Sequence, residues 1–278
     1  MRRRIGFGWN RFLNWDHPSQ IGFLLAILLL IPALIVIAAG TEETRPPAII
    51  GAIGLVIIAQ VIFMWANRGM VAEYTQAQRH YLKGDFAAAC AVLEELRRHH
   101  KADLRALSLL GNTYRQLGQL PESEAVLRKA VTLDERQPFA LYGLGRTLLV
   151  SGRYAEAAAT LEQALINGAA EVCRFDAGEV YYRLGETQKA IELLQSARIH
   201  LLREPHRLLM TVYWLHKLAD GEPPSAKLIG LGLPYWQAQA KLFAQTPYGA
   251  ELTQDITTIQ SMTASTSVAN GNPFSAPG

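Results

Sequence analysis

Four glycines constrain this chain more than any other feature. Gly84, Gly118, Gly152 and Gly185 are separated by 34, 34 and 33 residues, and each lies between two helical patterns. A second series, Gly111, Gly145 and Gly178, precedes the last three of these by seven residues. A glycine inside a helix costs ~1 kcal/mol relative to alanine, so a repeated one marks a geometric need. Five residues after each turn glycine stands a small side chain: Ala89, Ser123, Ala157 and Ala190. Four further on comes a leucine every time, Leu93, Leu127, Leu161 and Leu194, and three beyond that Leu96, Ala130, Ala164 and Ala197. The spacing predicts two antiparallel helices per unit. The turn glycine ends the first helix in a left-handed conformation. The inner glycine and the small residue bring the two backbones together, and the leucine fills the gap. No unit can bury its own apolar stripe, so the units must stack. They begin near Met70, Leu104, Pro138 and Glu171, and the fold class is all-α: a solenoid of about four helix pairs over residues 70–204.

The segments "LSLLGNTYRQLGQLPESEAVLRKA" and "LYGLGRTLLVSGRYAEAAATLEQA" match most of an order of Leu, Gly, Tyr, Gly, aromatic and Ala. "FDAGEVYYRLGETQKAIELLQSA" follows it closely; "AEYTQAQRHYLKGDFAAACAVLEEL" follows it in its second half, with Ala77 where the inner glycine is expected. In these residues the chain resembles the tetratricopeptide repeat (TPR) family. The resemblance covers about half the chain. It implies binding of other proteins along an inner surface lined by the first helix of each unit. The stripe so implied holds Tyr74, Gln78 and Tyr81, then Arg105, Ser108, Asn112 and Arg115, then Phe139, Tyr142, Arg146 and Leu149, and finally Phe175, Glu179, Tyr182 and Arg183. Ordinary packing between units competes for the aromatics, and a solvated face for the arginines. Arginine beside tyrosine suits an extended peptide with acidic and aromatic groups, because guanidinium forks carboxylates and tyrosine supplies stiff contact area. Some family members clamp a terminal carboxylate with Lys, Asn and Arg. Asn112 occupies one such place, but Tyr74, Gly143, Val172 and Asp176 occupy the others, so that clamp is not expected.

Ahead of the repeats lie two uncharged runs of 19 residues, Ile21 to Ala39 and Ala48 to Ala66. A helix of ~20 apolar residues crosses the hydrocarbon layer. The link "GTEETRPP" is short, which predicts a transmembrane hairpin over residues 21–67 with both flanks on one side. Gly51 and Gly54 are expected to let the two helices approach closely. Arg2, Arg3, Arg4 and Arg11 precede the first span and Arg68 follows the second, whereas the link holds Glu42 and Glu43 against Arg45. Positive flanks stay cytoplasmic, so both termini are expected there, in a bacterial-type inner membrane. Residues 1–20, with Phe7, Trp9, Phe12 and Trp15 among arginines, read as an interfacial segment in contact with lipid. Export with cleavage near Ala38-Ala39-Gly40 is the competing reading; the length of the run and the second span weigh against it.

After Pro205 the register fades. Residues 205–262 read as a degenerate unit plus helical cap, and residues 263–278, rich in Ser, Asn, Gly and Pro, as a disordered tail. Asn272-Pro273-Phe274 is read as a chance tripeptide. A net charge of +3 is too small to argue for nucleic acid. Cys90 and Cys173 form no disulfide framework and no zinc spacing. His99-His100 ends a helix beside Arg97, Arg98 and Lys101, where cations favour the helix dipole. No phosphate loop, nucleophile elbow or His-Glu-x-x-His occurs, so neither enzyme activity nor a cofactor is expected. Two functions remain: a membrane-anchored scaffold that recruits protein partners, or an accessory subunit or assembly factor of a larger membrane complex, contacted through the hairpin.

Overall fold

The computed structural model describes Phe12 and residues 15–269, with side chains placed throughout except at residues 67–72 and 263–269. The elements are α1 (His17–Ala39), α2 (Arg45–Leu82), α3 (Phe86–Arg98), α4 (Leu104–Gln116), α5 (Leu120–Leu133), α6 (Pro138–Val150), α7 (Tyr154–Ile166), α8 (Val172–Leu184), α9 (Thr187–Arg198), α10 (Pro205–Ala219), α11 (Ala226–Leu242) and α12 (Pro247–Ala269). No strand occurs among the described residues. The chain divides between Ala106 and Leu107 into two compact units.

In the first unit, α1 starts where the Asp16 carboxylate accepts the Ser19 amide at 3.2 Å, and it leaves its last turn at Gly40. Prolines then open α2. The facing surfaces of α1 and α2 are made of small residues: Ala26 and Ala52 are buried, and a Cβ on Gly22 would stand 3.2 Å from Ile62 Cδ1. Gly51 and Gly54 do not make this approach. A Cβ on either would meet nothing within 4 Å, because both lie on the side of α2 turned away from α1. Most of the remaining apolar side chains are exposed, Leu28 to 61% and Ile50 to 71%, and both helices are long and apolar enough to cross a membrane. Trp15 packs edge-on against Phe23 at 5.4 Å and Phe63 at 5.5 Å, so one end of the hairpin is closed by rings. Arg2, Arg3, Arg4, Phe7, Trp9 and Arg11 lie outside the described residues.

The helix that carries the second apolar run does not end with that run. α2 continues unbroken to Leu82 and serves as the first helix of the first repeat. It pairs there with α3 around Ala77, Ala89 and Leu93, all fully buried.

The second unit repeats one packing rule. A Cβ on Gly145 would stand 2.6 Å from the Leu161 side chain, and one on Gly178 would stand 2.8 Å from Leu194. Only a residue with no side chain lets the leucine of the partner helix seat there, and burying that leucine contributes roughly 1.5–3 kcal/mol. The turn glycine of the second repeat, Gly118, has φ +75°, a region that a side chain disfavours. Ser123 adds a polar stitch: its hydroxyl donates to the Gly111 carbonyl at 2.7 Å and lies 2.8 Å from the Thr147 hydroxyl of the next repeat. Cys173 is fully buried, and burial pushes its thiol up to about 12, so it behaves as a small apolar residue.

Beyond α9 the pairing persists without the rhythm. α11 returns against α10, with Gly232 so close to the Pro205 carbonyl and Leu209 that a Cβ would clash at 2.7 Å. α12 then folds back over the inner side of the repeats. It runs on to Ala269, past Met262, where the sequence reading ends the helical cap. Asn272-Pro273-Phe274 lies outside the described residues.

Candidate functional site

The inner face of α6, α8 and α10 is occupied by the chain's own C-terminal helices. The end of α11 reaches the second repeat: a Cβ on Gly118 would stand 3.2 Å from Leu242 Cδ1. The start of α12 reaches the third, with Pro247 as close as 3.0 Å to a Cβ on Gly152. Trp236 of α11 donates its indole N–H to the His206 carbonyl at 2.6 Å, while its ring lies 6.2 Å from Phe175. Along α12, Tyr248, Leu252, Asp255 and Ile259 recur at helical spacing and are all buried.

Asp255 is the polar centre of this contact. Its Oδ2 takes the Arg183 Nη1 at 2.8 Å and the Trp214 indole N–H at 3.3 Å. Its Oδ1 accepts from Tyr213 at 3.1 Å and Tyr182 at 3.3 Å, with Lys217 Nζ at 3.7 Å. The Arg183 guanidinium also lies over the rings of Tyr182, Trp214 and Tyr248 at 5.2, 5.6 and 5.7 Å. Beside it Glu179 is 1% exposed. Burial pushes its carboxyl up to about 7 against the pull of Arg183, with Asp176 adding to the rise, and the Tyr248 hydroxyl bonds to it. Charge-assisted hydrogen bonds of this kind are about twice as strong as neutral ones.

The expected open stripe is therefore corrected over α4, α6 and α8. Glu179, Tyr182 and Arg183 face α12, not solvent. Tyr142 donates to Asp176, and Arg146 Nε pairs with the same carboxylate at 3.2 Å; a buried acid already occupies that fork. Asn112 and Arg115 are buried and joined, Arg115 Nη2 donating to Asn112 Oδ1 at 3.2 Å. The physical reason is the same at each place: a guanidinium on an inner face covered by later helices must find an internal carboxylate or amide.

Four candidates of the first unit stay accessible, as does Phe139 of the second, which is 43% exposed. Gln78 and Arg105 are exposed, Tyr74 and Tyr81 half-buried. Arg105 lies over the Tyr74 ring at 5.1 Å and reaches Asp103 at 3.4 Å. Tyr81 stacks edge-on with Phe86 at 5.3 Å. The residues missed in the sequence are Asp176, Tyr213, Trp214, Lys217, Tyr248 and Asp255. The one available signal was Asp255 itself, a lone acid within the apolar stripe of α12.

A tetratricopeptide repeat family model matches residues 74–140, 130–172 and 142–200. A thermophilic TPR protein of Thermus thermophilus, TTC0263, is similar at 19% identity and a TM-score of 0.49, over 69% of this chain and 98% of that one. MamA of Desulfovibrio magneticus RS-1, from its residue 41 to the end, is similar at 20% identity and a TM-score of 0.42, over 70% and 96%. The nearly identical TPR-like repeats of a Podosopora anserina putative kinesin light chain give 20%, 0.42, 70% and 96%. No curated protein matches the chain. Helix pairs built on one glycine–leucine rule and the matching family model agree: residues 74–200 of this chain are tetratricopeptide repeats.

Proposed function

We propose that this chain is a membrane-anchored scaffold that captures protein partners close to the bilayer. Tetratricopeptide repeats serve typically as non-catalytic interaction modules, and the anchoring is the further step. One observation carries it: α2 is a single helix whose first half is apolar and exposed and whose second half builds the first repeat. At 1.5 Å per residue, Tyr74 stands about 12 Å beyond Ala66 and Tyr81 about 22 Å. The accessible face of Tyr74, Gln78, Tyr81 and Arg105 would then lie at the cytoplasmic membrane surface, offered to an acidic and aromatic segment of another protein. The charge flanking the hairpin supports this orientation.

The test has two arms. A cysteine placed at Thr41, in the link, and one at Lys217 should react with an impermeant thiol reagent from opposite sides of intact and inverted vesicles. Cross-linking capture by the full-length protein should be lost in Arg105→Glu and retained in Arg174→Glu. Labelling of both cysteines from one side, or capture indifferent to Arg105, would overturn the reading. A specific feature favours a second reading, the accessory subunit: the exposed amide of Gln60 lines an open cleft with Phe23, Ala26, Leu30 and Phe63, and in hydrocarbon an amide draws in a polar partner helix. Capture that survives Arg105→Glu but fails in Gln60→Leu would select it.

A further inference from the structure

We infer that α12 is a replaceable internal ligand, and that the cage of Arg183, Tyr182, Tyr213, Trp214 and Lys217 is a receptor for a carboxylate on a helical segment of a partner protein. This rests on the scaffold reading above and names the partner of its covered face.

Three features of the chain carry the inference. The first is the cage. Five donors converge on both oxygens of one carboxylate at 2.8–3.7 Å. They come from α8 and α10, while the carboxylate comes from α12, so the receptor is complete in the solenoid without its occupant. Arg183 and Lys217 leave it positively charged when α12 departs, which fixes the ligand chemistry as acidic.

The second is the sequence of α12. Thr253, Thr257, Thr258 and Ser261 stand in its body and Gly249 in its first turn. Threonine, serine and glycine are weak helix formers. Three of the threonines bond back to carbonyls of the preceding turn, Thr253 to Gly249, Thr257 to Thr253 and Thr258 to Gln254, which weakens a helix further. α12 is therefore held helical by what it touches. The third is exposure. Thr253, Gln254, Thr257 and Gln260 face solvent, so α12 is a lining with one wet side. An element with few buried contacts on one side belongs to the low-stability end and opens first.

A partner helix that reproduces the α12 stripe, an aromatic residue seven positions ahead of an acidic one with aliphatics between and after, would make the same contacts. Opening of α12 and arrival of such a helix are then one equilibrium, and the partner shifts it by binding only the open state.

The experiment is amide hydrogen exchange on the full-length protein in bilayer discs, with a synthetic peptide of residues 247–262 as the probe. In the unmodified protein, amides of α12 should exchange at least tenfold faster than those of α8 and α10. Asp255→Asn should speed α12 exchange tenfold or more, leave α4 and α8 unchanged, and raise affinity for the probe at least tenfold. A probe carrying Asn in place of the same Asp should lose that affinity. Exchange of α12 at the rate of α8 in the unmodified protein would overturn the inference whatever the variant does, as would a variant that leaves α8 protected yet ignores the probe. Arg105→Glu tests the scaffold reading on a different face, so the two ideas fail separately.

Discussion

The start of the repeat array and its later inner face are written in the same alphabet, tyrosine and arginine, and they end in opposite states. Arg105 lies on Tyr74 with its guanidinium in solvent. Arg183 lies on Tyr182 in the same manner, but its side chain is only 4% exposed and it grips Asp255. The difference is not in the repeats. It comes from α11 and α12, which cover the inner face around Arg183. At Arg183 the tyrosine–arginine pair becomes core because α12 supplies a carboxylate, as Asp176 of the next repeat does for Tyr142 and Arg146.

The largest effect should come from the covered face. Trp214→Ala removes a fully buried ring stacked at 5.7 Å on Phe175 and 5.3 Å on Tyr182. It should cost about 3–5 kcal/mol, read as a lower denaturation midpoint. A loss below about 1 kcal/mol would show that the face is not packed as described. Next comes the repeat geometry itself. Gly145→Ala forces a Cβ to 2.6 Å from Leu161 and should cost about 1–3 kcal/mol, whereas Gly51→Ala, where nothing lies within 4 Å, should change stability little.

A smaller effect is pH-dependent. The Glu179 carboxyl is raised to about 7 by burial, above its ordinary value of 4.5. A group raised in the folded state contributes stability that is complete below the unfolded value and lost as pH climbs through the folded one. The protein should therefore lose stability between about pH 4.5 and 7 through this group. Glu179→Gln should abolish that slope and be the more stable form at pH 8, by about 1–2 kcal/mol; Tyr248, Arg183, Asp176 and Asp255 remain around it in both. Parallel stability–pH curves would contradict the assignment. The smallest change belongs to the open face: Arg105→Ala should leave stability within about 0.5 kcal/mol while weakening partner capture about tenfold.

The repeats were legible because one geometry recurs. Gly111, Gly145 and Gly178 each accommodate Leu127, Leu161 and Leu194, and recurrence converts a contact into a spacing. The hairpin was legible in its length but not in its rotation: Gly51 and Gly54 are small, and smallness does not say which side of a helix faces a neighbour. The covered face left one sign in the sequence, the lone acid in the apolar stripe of α12. Asp255 meets Tyr182 across 73 residues, in a contact made once, by a helix outside the repeat pattern. Nothing periodic announces it, and each repeat taken alone places Arg183 on an open stripe.

Hydroxyl-radical footprinting of the full-length protein in bilayer discs compares both faces in one sample. The expected result is strong modification of Tyr74 and Tyr81 with protection of Tyr213, Trp214 and Tyr248, which are 0%, 0% and 2% exposed. Modification of Tyr213 and Trp214 at the rate of Tyr74 would mean that no helix covers the later repeats, and would contradict the central claim.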